Sequence, residues 1–282
     1  MICDTVRLPF EGKDNAVLNL YCQTSAEGQL MQKRPTVLVL PGGGYGGCSY
    51  READCIAMKF ASIGYNAAVL TYSVYPDAIF PQSLCETAKA MAYLKKNHEK
   101  YNIDPEKIYT CGFSAGGHLA LSLGVFWDKP WLAERVGEES ELLRPAAQIL
   151  CYPVVTSDPS VGHVKSFARI LGENPDPEKA KLVSLDNHVS PQTPPTFLWT
   201  TLADTTVPCE NSMILINKLK ESGVLFEFHL FGWAPHGLSL ADRTVQTVAN
   251  LEKPRDKSHD NPHVAKWFPL CKEWLEFMIE KI

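Results

Sequence analysis

The chain has 282 residues, enough for one large α/β domain or two modest ones. Hydrophobic residues at 45% and charged residues at 21% exclude a disordered or fibrous protein, and a net charge of -5 argues against a nucleic-acid surface. No run approaches the ~18 apolar residues of a membrane span, and the first residues show no basic region followed by an apolar core. Nine cysteines form no Cys-x-x-Cys pair, and Cys111 and Cys151 sit inside apolar runs. Free buried thiols and a cytoplasmic location are therefore expected.

Residues 1–30 read as one or two edge strands, with the best candidate at 16–22 and a turn at 26–29. Residues 36–40, Thr-Val-Leu-Val-Leu, are apolar without alternation, as expected of a parallel strand covered on both faces. They end in Pro41-Gly42-Gly43-Gly44-Tyr45-Gly46-Gly47. Five glycines in six positions are not explained by packing, because glycine supplies no side chain and costs backbone entropy.

A helix is expected over 53–63, stopped by Gly64, followed by a buried strand at 66–72 and a long helix at 81–101. Asp104-Pro105 reads as a turn, and a strand at 107–111 runs into Gly112-Phe113-Ser114-Ala115-Gly116. A Gly-x-Ser-x-Gly pentapeptide at a strand–helix junction is the pattern of a nucleophile elbow. A helix at 118–125 follows, then a strand at 146–152.

Residues 157–195 break this rhythm, with short helices at 164–171 and 177–182, and read as an insert over the strand ends. Strands at 196–201 and 225–231 flank a helix at 209–221. A polar stretch near 250–263 lies within a second, loop-like insert at 240–263, and a helix at 265–279 closes the chain. Strands alternating with helices predict an α/β fold, a mostly parallel central sheet with helices on both faces in three layers. The organisation expected is one domain over 1–282 carrying the two inserts.

Catalytic groups of such sheets lie beyond the carboxyl ends of the strands. Ser114, Asp204 and His236 all follow expected strands, and their chain order is that of α/β-hydrolase triads. A serine hydroxyl attacks only when a base removes its proton, and a carboxylate must hold that base in the right tautomer. Asp158 and Asp242 are rival acids, each less directly placed at a strand end; His118, four residues after the serine, reads as a packing or hydrogen-bonding residue. His163, His188, His259 and His263 lack metal-ligand spacing, so neither metal nor cofactor is expected. The oxyanion would be held by the Ala115 N–H and by Gly44 or Tyr45 in the glycine loop; no Lys-Ser/Thr follows that loop, so it is not a Walker phosphate loop.

At these residues the chain resembles α/β-hydrolase esterases of the acetyl xylan esterase and feruloyl-esterase-like group, related to the hormone-sensitive-lipase-like enzymes. The resemblance rests on Pro41-Gly42-Gly43-Gly44-Tyr45, Gly112 to His118, Pro194-Pro195-Thr196-Phe197, the Asp204 loop ending Val207-Pro208, His236-Gly237 and the segment from Val264 to Leu270. Pro41 stands where the hormone-sensitive-lipase pattern has histidine, which favours the carbohydrate-esterase side. The resemblance implies a serine esterase that deacetylates sugars or xylo-oligosaccharides through an acyl-enzyme. A broad short-chain carboxylesterase or lipase is the alternative, and a serine peptidase a more distant one. Gly43, Tyr45, Trp233 and Trp267 are the expected pocket residues. The expected partner is a small ester, with no nucleic acid or membrane; a homodimer is compatible with this reading.

Overall fold

The computed structural model describes residues 1–26, 28, 31–173, 177–248 and 259–281. One sheet of eight strands runs in the order β1-β2-β4-β3-β5-β6-β7-β8. The strands are β1 Ile2–Arg7, β2 Val17–Cys22, β3 Arg34–Leu40, β4 Asn66–Thr71, β5 Ile103–Phe113, β6 Ala147–Cys151, β7 Thr196–Thr201 and β8 Phe226–Phe231. β2 is antiparallel to both its neighbours, and every pairing from β4 to β8 is parallel.

The apolar run in β3 explains the three layers. Val37 and Val39 pack into one core, and Leu38 and Leu40 into the other, because successive strand side chains point to opposite faces. Helices α1 (Asp54–Ala61) and α9 (Trp267–Lys281) cover the first face. The second is covered by α2 (Gln82–Lys96), α3 (Ala115–Phe126), α4 (Pro130–Val136) and α8 (Glu210–Glu221). This is the α/β-hydrolase fold.

The structure differs from the sequence expectation in three places. The long helix stops at Lys96, where the side-chain amide of the C-cap residue Asn97 turns back to the Tyr93 carbonyl. Asp104-Pro105 turns within a strand and not before it: β5 spans Ile103–Phe113, but its pairing with β3 jumps from Ile103 to Ile108 between Arg34 and Thr36, and the Glu106 N–H donates to Asp104 Oδ1 in the bulge. Two short helices, α4 and α5 (Ser140–Leu143), lie between α3 and β6, where the sequence shows no clear element. The two helices of the 157–195 insert form as α6 (Val164–Leu171) and α7 (Pro177–Leu182). Much of the 240–263 insert, at 249–258, and part of the 26–29 turn lie outside the described residues. The described ends of the 240–263 insert fold back onto the loop after β8: the Asn261 amide donates to the Trp233 carbonyl, and the His259 ring lies 3.2 Å from the His236 carbonyl.

Candidate active site

Ser114 links β5 to α3 with φ 53° and ψ -116°, a left-handed conformation that costs a non-glycine residue free energy. The turn is held from both sides. The Ser114 N–H donates to the Cys151 carbonyl (2.9 Å), and its carbonyl accepts from His118 and Val154. Its tightness also decides the flanking glycines. A Cβ on Gly112 would overlap the Gly116 carbonyl, and one on Gly116 would overlap the Leu40 carbonyl at the end of β3.

Asp204 lies three residues past β7 and His236 five past β8, both on loops that follow parallel strands. The structure brings them to Ser114. His236 Nε2 stands 2.8 Å from Ser114 Oγ, and His236 Nδ1 stands 2.5 Å from Asp204 Oδ2. The other carboxylate oxygen, Oδ1, accepts from the N–H groups of Thr206 and Val207, each at 2.9 Å. The Asp204 side chain is wholly buried, whereas the imidazole keeps 16% of its surface exposed. A buried carboxylate with both oxygens satisfied is a rigid acceptor, so Nδ1 carries the proton and Nε2 is left to accept from the serine. Asp158 and Asp242 instead bond locally, to Ser160 and to Thr244.

The glycine loop adjoins this group. A Cβ on Gly42 would come within 3.1 Å of Ser114 Cβ. Gly43, Gly44 and Tyr45 have positive φ, and the Gly46 N–H closes a turn onto the Gly43 carbonyl (3.1 Å). The N–H groups of Gly43, Gly44 and Tyr45 donate to no described residue. Ala115 opens α3, so its N–H is among the donors a helix leaves unpaired in its first turn.

Two of the expected pocket residues stand elsewhere. Trp267 has no exposed surface: it stacks on Trp199 at 5.3 Å, and its indole N–H donates to the Ser239 carbonyl. It is core, because the start of α9 packs under the sheet and not over the strand ends. The Tyr45 side chain is also buried, with its hydroxyl 2.7 Å from His118 Nδ1, so it can offer a substrate its backbone but no aromatic wall. Trp233, by contrast, is 81% exposed on the loop leading to His236.

His118 is a fully buried connector. Its Nε2 lies 2.8 Å from the Val183 carbonyl, which only an N–H can satisfy, so Nδ1 is left to accept from the Tyr45 hydroxyl. Burial pushes its pKa from an ordinary 6.5 down to about 4, against the opposing pull of the Val183 carbonyl. Between those values the unfolded chain takes up a proton that the folded chain refuses. Stability should therefore be full above about pH 6.5 and decline as the pH falls towards 4, by up to about 1.4 kcal/mol per pH unit. His118→Gln should flatten that decline, as read from urea unfolding at pH 7, 6 and 5. Equal slopes in both proteins would contradict it.

Two buried carboxylates escaped the sequence reading. Glu52 accepts from the Gly42 N–H (3.0 Å) and from the Tyr152 hydroxyl (2.6 Å), and that hydroxyl accepts from the Ser239 N–H (2.8 Å). It ties the glycine loop to the chain beyond His236. Glu86 accepts from both the N–H and the hydroxyl of Ser73 and from Gln82, fixing the loop after β4. The one available signal was Glu86's place among the small and apolar residues Leu84, Cys85, Thr87 and Ala88 of α2. Glu52 gave no such signal.

Residues 18–219 match the BD-FAE family. The chain belongs to the BD-FAE family. These are α/β-hydrolase-fold esterases related to acetyl xylan esterases and similar carboxylesterases. Among relatives, this BD-FAE chain is 38% identical over 218 residues to endo-1,4-beta-xylanase B of Butyrivibrio fibrisolvens, covering 74% of this chain and 33% of that protein. It is 25% identical over 233 residues to an acetylxylan esterase of Xylanibacter ruminicola, covering 77% of this chain and 45% of the other. The chain thus spans less than half the length of these curated relatives. A crystal structure of an acetyl ester-xyloside bifunctional hydrolase from Caldicellulosiruptor lactoaceticus superposes with a TM-score of 0.78 at 36% identity, covering 93% of this chain and 88% of that one.

Proposed function

We propose that this BD-FAE protein is a serine esterase that removes acetyl and similarly small acyl groups from acylated sugars such as xylo-oligosaccharides. The observation that carries the reading is the hydrogen-bonded line from Ser114 through His236 to the buried Asp204, beside backbone N–H groups with no partner among the described residues. In the proposed reaction Ser114 Oγ attacks the ester carbonyl while His236 Nε2 takes its proton. Ala115 and the Gly44 or Tyr45 N–H hold the oxyanion. His236 then returns the proton to the departing sugar oxygen, leaving an acyl-serine. Water, deprotonated by the same imidazole, attacks that ester, and the imidazolium returns the proton to Ser114 Oγ as the acid leaves.

The sugar class is supported by the acetylxylan esterase and the acetyl ester-xyloside hydrolase among the similar proteins. It is supported too by Trp233, whose exposed face, three residues before His236, suits stacking on a sugar ring. The rival reading, a broad short-chain carboxylesterase or lipase, differs in what acyl length does. An open apolar channel would gain about 0.8 kcal/mol for each buried methylene, or roughly fourfold in kcat/KM per carbon. The expected result is no gain from p-nitrophenyl acetate to octanoate, together with acetate release from acetylated xylobiose. A tenfold or greater rise towards octanoate, with no acetate released from the sugar, would overturn the acyl-sugar reading.

A further inference from the structure

We infer that Arg169, on the insert helix α6, is a positioning residue that holds the oxyanion loop in its working conformation. This deepens the esterase reading and rests on it. Arg169 Nη1 donates to the Gly44 carbonyl at 2.9 Å, in the same loop whose Gly44 and Tyr45 N–H groups face no described acceptor. The Gly44 carbonyl and the Tyr45 N–H belong to one planar peptide, so fixing the oxygen fixes the direction of that N–H. Left-handed φ at both Gly44 (60°) and Tyr45 (56°) makes the orientation one that local preference alone would not hold for tyrosine.

The guanidinium also lies against Gly46. A Cβ there would stand 2.5 Å from Arg169 Cζ, 2.6 Å from Nη1 and 2.9 Å from Nε, and these are its three nearest atoms. A side chain at Gly46 would therefore displace the guanidinium, whereas one at Gly42 or Gly43 would meet backbone. Among the described residues Arg169 has no ion-pair partner, and the one hydrogen bond its side chain makes is the bond to the loop. Its base is firm. The Phe80 N–H donates to the Ile170 carbonyl (2.7 Å), and Phe167 packs edge-on against His118 at 5.6 Å. His118 and Tyr45 then close the circuit back to the loop. Arg169 makes no hydrogen bond to Ser114 or His236; it acts through the peptide it holds.

Removing an oxyanion donor outright costs roughly 10²–10³ in turnover, and loosening one should cost less. Arg169→Met, which keeps most of the volume, should lower kcat roughly tenfold with KM little changed, and Arg169→Lys should recover much of the loss. Gly46→Ala, which pushes the guanidinium off the loop, should produce a similar fall, and the double variant should be no worse than either single one. Additive losses in that cycle would mean the two residues act independently and would overturn the inference. So would an Arg169→Met enzyme with unchanged kcat, or one whose loss appears in KM alone. Binding of a boronic acid, which mimics the tetrahedral adduct, should weaken in parallel with kcat. Thermal melting separates all of this from misfolding: a folded Arg169→Lys that binds the boronic acid no better than Arg169→Met also counts against the role. A wild-type protein that hydrolyses no ester would instead remove the esterase reading, by a result visible before any variant is made.

Discussion

Asp204→Asn should lower kcat by about 10⁴, the loss seen when the orienting carboxylate of a Ser–His–Asp triad becomes an amide. The size follows from which end of the new amide must face the imidazole. Oδ1 of Asp204 accepts from two backbone N–H groups, those of Thr206 and Val207. Only the amide oxygen can take that place, so the NH₂ group is forced into the position of Oδ2, opposite His236 Nδ1. The imidazole must then accept there and carry its proton on Nε2, facing Ser114, where it cannot act as a base. The shape is unchanged and both backbone bonds survive, so the variant should fold, with a circular dichroism spectrum like that of the wild type. Asp158→Asn and Asp242→Asn, whose carboxylates serve Ser160 and Thr244, should change kcat little. An Asp204→Asn enzyme that keeps more than about a tenth of wild-type kcat would remove the carboxylate from the proposed relay.

Much of this arrangement was legible in the sequence because it depends on local pattern. Non-alternating apolar runs mark strands buried on both faces, and the alternation of strand and helix sets the sheet. Once those are placed, Ser114, Asp204 and His236 fall at strand ends on one side without any knowledge of strand order. The glycines were legible as backbone requirements, although not which neighbour each one accommodates: Glu52 and Phe113 for Gly42, the Gly47 carbonyl for Gly43, Arg169 for Gly46.

What stayed hidden depends on contacts between residues far apart in the chain. Trp267 and Trp233 are both tryptophans near the expected site in sequence, yet one is wholly buried and the other 81% exposed. Nothing local separates them, since the difference lies in which face of the sheet α9 covers. The Glu52–Tyr152–Ser239 chain joins three segments far apart in the sequence, and the Arg169–Gly44 bond spans 125 positions. A charged residue in a short amphipathic helix reads as solvated surface until the helix is docked.

We propose Ser114 as the nucleophile. Its hydroxyl is the one held 2.8 Å from His236 Nε2, on a left-handed turn that presents it at the junction of β5 and α3. Ser114→Ala should accordingly cost roughly 10⁶ in kcat, as in serine hydrolases whose triad serine is removed. The most direct measurement is covalent. The active protein is treated with a fluorophosphonate, and its peptides are then read by mass spectrometry. One phosphonyl group per chain on Ser114, appearing at the same rate as activity disappears, is the predicted result. An adduct on another residue, or inactivation-resistant hydrolysis with Ser114 unmodified, would contradict it.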